Sequence, residues 1–97
     1  MSSLSVQTPS LVENALAHRE RLHHFTLRAA AEPSVLPRIL ENFALRNLVP
    51  QKLESRQAGG DLVVSLSVCG LDETESRHLQ LRMLNIVPVY SVDLDHS

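Results

Sequence analysis

The hydrophobic period of this chain alternates between two and 3.6, and the order of the changes leaves few folds open. In Leu22 to Ala30 (LHHFTLRAA), Phe25, Leu27 and Ala29 alternate with His24, Thr26 and Arg28, the pattern of a strand with one buried face. Glu32-Pro33-Ser34 interrupts it, and Val35, Leu36, Ile39, Leu40, Phe43 and Ala44 then return at the spacing of an amphipathic helix. That helix is expected to end near Asn47, a residue that tolerates the left-handed conformation of a helix exit, and Pro50 forbids much extension beyond it. Leu48 to Gln57 reads as a weaker strand marked by Val49 and Leu53, and Gly59-Gly60 signals a tight reversal. Leu62 to Cys69 (LVVSLSVC) alternates most clearly, with Leu62, Val64, Leu66 and Val68 on one face. Asp72 followed by Glu75 forms a capping-box pattern, opening a helix to about Leu84 whose inward positions are Leu79, Met83 and Ile86. Val87 to Leu94 (VPVYSVDL) reads as a closing strand.

The order strand, helix, strand, strand, helix, strand is that of two split βαβ units. It predicts an α+β chain with the ferredoxin-like βαββαβ sandwich, a four-stranded antiparallel sheet carrying two helices on one face. Right-handed crossovers put the first and third strands in the centre of such a sheet. Pro50 and Pro88 fall in the segments assigned to the two edges, where a missing N–H is tolerated. Thr26, Arg28, Ser65 and Ser67 are then left on the open face.

Ahead of this unit, residues 1–21 read as an N-terminal extension. Met1 to Thr8 is Ser-rich and aperiodic, after which Thr8-Pro9 resembles a helix start and Leu11, Val12, Ala15 and Leu16 share one face of a short amphipathic helix to about Arg21. The folded domain is assigned to residues 22–97.

A chain of 97 residues supports one hydrophobic core. Net charge is −2 and the nine Lys and Arg residues are scattered, so no basic stripe invites nucleic acid. The lone Cys69 lacks a C-x-x-C partner, which fits a reducing cytoplasm, and no apolar run is long enough for a membrane helix. His18, His23 and His24 cluster, but adjacent residues of an extended segment point to opposite faces and no Cys or carboxylate completes a four-ligand shell, so no metal is expected. Nor is another cofactor. Ser65, Ser67 and Cys69 have no base or nucleophile elbow at a readable spacing, which argues against an enzyme. RNA-recognition domains share this element order but stack bases on aromatic residues of the central strands, and LVVSLSVC has none. Metallochaperones need a Cys-x-x-Cys loop where this chain has Ala31-Glu32-Pro33-Ser34.

From His23 to Asp95 the chain resembles a free-standing ACT domain, and is most similar to the short, one-domain small regulatory subunits of acetolactate synthase. FTLRAAAEPSVLPRILENFALRNLVPQKLES resembles the family's first strand, its D-x-P-G-V-L-like turn, helix, R-G-like exit and second strand; LQLRMLNIVPVYSVDL resembles its closing helix and strand. The resemblance implies a non-catalytic regulator of branched-chain amino-acid metabolism that binds a small amino acid, the catalytic subunit of a biosynthetic enzyme, or both. It further implies an effector held between paired subunits; a homodimer is expected because so small a domain with an exposed apolar edge gains stability by pairing, as ACT domains commonly do, and the second strand is the expected contact because Pro50 near its start leaves Gln51 to Gln57 free to pair. The matching site positions are Glu32, Ser34, Val35 and Asn47. Ser34 stands where the family has a turn glycine, and if the turn requires positive φ its Cβ weakens effector binding. The alternative is an effector-free module for dimerisation or protein–protein interaction.

Overall fold

The computed structural model describes residues 21–96, so the tail and amphipathic helix expected ahead of Arg21 lie outside the described residues. The elements are β1 (His23–Ala30), α1 (Val35–Ala44), β2 (Lys52–Ala58), β3 (Asp61–Val68), α2 (Glu73–Leu84) and β4 (Val89–His96). The sheet order is β2-β3-β1-β4 with antiparallel neighbours, the ferredoxin-like arrangement. β1 and β3 are central, as their uninterrupted alternation demands.

The core lies between the sheet and the helices. Phe25, Leu27 and Ala29 of β1 and Val64, Leu66 and Val68 of β3 meet Val35, Ile39 and Phe43 of α1 and Leu79 and Met83 of α2. Phe25 and Phe43 meet edge to face with centroids 5.7 Å apart, a favourable use of the ring quadrupole. Leu40, expected to be inward, is only half-buried and stands outside this cluster. The helical stripe is wider than the surface the sheet covers, so its edge at Leu40 stays partly exposed.

The exit of α1 delays the second strand. Asn47 takes φ +57, Leu48 N–H donates to Phe43 O at 2.9 Å and Asn47 N–H donates to Ala44 O at 3.0 Å, the paired bonds of a Schellman motif. Leu48 thereby turns back onto the core and Val49 is left exposed, so pairing begins at Lys52 rather than Leu48. Pro50 and Pro88 consequently precede the edge strands instead of lying within them.

β4 also begins later than expected. Val89 and Val92 are three residues apart yet both buried, because a register shift opposite Arg28 and Ala29 leaves Tyr90 without a partner on β1. This bulge reverses the parity that simple alternation would impose. At the other helix the capping box forms as read: Glu75 N–H donates to Asp72 Oδ1 at 2.7 Å, and Asp72 N–H donates to Glu75 Oε1 at 2.9 Å.

Candidate functional site

The four positions singled out by resemblance do not form one site within a single chain. Glu32, Ser34 and Val35 lie at the entry of α1 and Asn47 at its exit, about 20 Å away at the rise of a helix. Ser34 is exposed with φ −83 and ψ −8, ordinary right-handed backbone. The strain that positive φ would impose on a serine is therefore absent. The Val35 side chain is wholly buried in the core, and its amide donates to Glu32 O at 3.1 Å to close the turn. That leaves Glu32 and Ser34, with Pro33 between them, as the exposed side chains of the turn.

At the opposite end, a hollow of about 320 Å³ lies between the α1 exit and the start of α2, lined by Arg46, Leu48, Gly70, Leu71, Glu75 and His78. It flanks Asn47 on both sides in sequence. Gly70 is required here: it has φ +95, and a Cβ on it would stand 3.2 Å from a Leu48 methyl. The Arg46 guanidinium donates to Asn42 O at 3.0 Å, holding a cation at the helix C-terminus. The hollow thus combines apolar Leu48 and Leu71 with Arg46, His78 and a Glu75 carboxylate that accepts the Asp72 N–H in the capping box. Arg46 and His78 escaped the sequence reading, and Glu75 was read only as a helix cap, because their proximity in the hollow is tertiary.

The open face of the sheet is polar. Cross-strand register aligns Lys52, Ser67, His24 and Asp95 in one row and Glu54, Ser65, Thr26 and Asp93 in the next. His24 Nδ1 and Ser67 Oγ are 2.7 Å apart, and Arg28 lies 3.7 Å from Asp61. Base stacking needs aromatic rings at these central positions. Among the described residues no group of three or more His, Cys, Asp or Glu side chains could hold a metal ion, and no helix is long and apolar enough to cross a membrane.

The two edges of the sheet differ. Ala58 and Asp61 face each other across the two-residue Gly59–Gly60 turn, so backbone alternation directs Lys52, Glu54 and Arg56 at β3 and leaves the N–H and C=O groups of Leu53, Ser55 and Gln57 pointing outward. All seven residues of β2 are exposed, including Leu53, which lies on the helix side opposite the buried Leu66. β4 is obstructed. Ala30 N–H is directed at Pro88 O, so the same alternation turns Val92 O outward, where Gln80 donates to it at 2.7 Å.

A four-stranded antiparallel sheet covered on one face by two helices defines a ferredoxin-like α+β domain. The chain belongs to the ACT-like domain family, whose model matches residues 16–97. No curated protein matches it. Among solved structures it is similar to the ACT domain from GTP pyrophosphokinase of Chlorobium tepidum, with TM-score 0.68 and 9% identity over 76% of this chain and 96% of that one. The C-terminal domain of the MgtC protein from Mycobacterium tuberculosis matches with TM-score 0.68 and 12% identity, covering 81% of this chain and 89% of that chain. A formyltetrahydrofolate deformylase from Pseudomonas putida KT2440 matches with TM-score 0.61 and 5% identity over 78% of this chain and 28% of its own length. At these identities the likeness is one of fold.

Proposed function

We propose that this ACT-like chain is a non-catalytic sensing subunit that pairs with a second copy through β2, binds a small amino acid between the copies, and acts on a separate catalytic chain. The observation that carries the reading is the bare β2 edge. Seven consecutive exposed residues and a helix-side leucine at 40% exposure leave the outward backbone groups of this edge open to a further strand. Pairing across a two-fold axis normal to the sheet reverses direction. The Glu32–Ser34 turn of one chain is then at the same end as Asn47 and the Arg46 hollow of the other. Residues at opposite ends of α1 within one chain thus come to the same end of the paired sheet. The resemblance to acetolactate synthase small subunits supplies the ligand class, a branched-chain amino acid, and the partner class, a biosynthetic enzyme.

A second reading, the effector-free interaction module, is favoured by the engaged Val35 amide, which leaves the turn without that donor for a ligand. Calorimetric titration with valine, leucine and isoleucine separates the two. The sensing reading expects micromolar binding of one of them by the wild type and its loss in Ser55→Pro, a substitution that removes an outward N–H from the edge without breaking the bonds to β3. A dimer that binds none of the three supports the interaction module. Undiminished binding by a monomeric Ser55→Pro refutes a site shared between copies.

A further inference from the structure

Resting on that pairing through β2, we infer that the charges on β2 select one register, with the two-fold axis at Ser55. A two-fold axis normal to the sheet makes the interface isologous, and to join backbone groups correctly it must pass through a residue rather than between two. An axis at Ser55 overlaps all seven residues of the strand. Ser55 then exchanges backbone bonds with its own copy, and Leu53 with Gln57 of the second copy. Glu54 faces Arg56 of the second copy, twice by symmetry. These two are a pair without backbone bonds, the kind that brings side chains closest.

Neighbouring registers fail for stated reasons. An axis at Glu54 sets Glu54 against Glu54 and Lys52 against Arg56, all of them exposed charges of like sign. An axis at Leu53 gains Lys52 opposite Glu54, but pairs few strand residues and requires an outward amide from Gln51. That amide is already given to Ser67 O at 2.8 Å. An axis at Arg56 opposes two arginines. Self-recognition is thus written in Lys52, Glu54 and Arg56, on a strand that carries little apolar information of its own.

Arg56→Glu separates the registers, because its consequence has a different sign in each. With the axis at Ser55 it sets the introduced carboxylate against Glu54 of the second copy, and sedimentation equilibrium should show the dimer dissociation constant rising about tenfold. With the axis at Glu54 it creates an attraction to Lys52 and the dimer tightens; with the axis at Leu53 it changes nothing. Either of the latter results overturns the inference. Glu54→Arg should also weaken association, and an equimolar mixture of the two variants should recover wild-type affinity, since each new charge then meets its opposite. A mixture no tighter than the separate variants refutes the pairing. Both substitutions are at exposed positions, and circular dichroism verifies that each variant is folded. A wild type that sediments as a monomer at all concentrations overturns the dimer reading and the register together, whereas a dimer with the wrong response to Arg56→Glu overturns the register alone.

Discussion

Single residues show how far alternation of apolar and polar positions can be trusted. Leu66 and Phe25 were legible as core because a central strand has one covered face and a period of two admits no ambiguity about which residues share it. Leu40 was not, since a helical stripe states which residues lie together and not how much of the stripe a sheet will cover. The difference is measurable. Leu66→Ala should cost about 2–5 kcal/mol, a large part of the stability of so small a domain, and Leu40→Ala clearly less. Chemical denaturation of both variants at a concentration where the chain is monomeric checks this, and equal midpoints would mean Leu40 is core after all. Among the site positions, Asn47 was read correctly as a left-handed exit because few residues other than glycine accept that conformation. For Ser34 the sequence supplied only a mismatch with a family pattern, and the backbone at φ −83 removes its significance for strain.

At the level of elements, identity and order were legible and starting points were not. β2 and β4 each begin later than their first apolar residues because Leu48 and Ile86 are drawn back onto the core, a tertiary effect with no local signature. The bulge at Tyr90 belongs to the same class: VPVYSV carries no mark saying that two valines three apart will both face inward. The helix starts differ in kind. α1 begins at Ser34 without a side-chain cap bond, whereas α2 begins with a reciprocal capping box. Asp72→Ala should therefore destabilise the chain by about 1 kcal/mol, and Ser34→Ala by much less, because only the first substitution removes a bond to an orphan amide at a helix start. Thermal melts of the two variants side by side test the contrast; an equal loss would assign Ser34 a capping role.

For the molecule as a whole, the fold was legible and the site was not: Glu32 and Ser34 lie at one end of α1 and Asn47 at the other, and the pairing proposed to bring them to one end is encoded by no periodicity. A ligand held between copies has a thermodynamic signature that a ligand inside one copy lacks. Anything that binds the dimer and not the monomer shifts association by mass action, with each site contributing about 2.7 kcal/mol when the ligand stands at 100 times its dissociation constant. For two equivalent sites, the dimer dissociation constant should fall by about two factors of a hundred at that concentration of the amino acid identified by calorimetry. The effect need not be complete to be decisive: a ligand that binds the monomer tenfold more weakly still leaves a clear shift. Sedimentation equilibrium with and without ligand, in a buffer where the free chain is half dissociated, gives the measurement. If the amino acid binds and the association constant is unmoved, the hollow beside Arg46 is the whole site and each chain senses alone. If association tightens as calculated, pairing completes the ligand site, as the proposed joining of one α1 entry to the exit of the other requires.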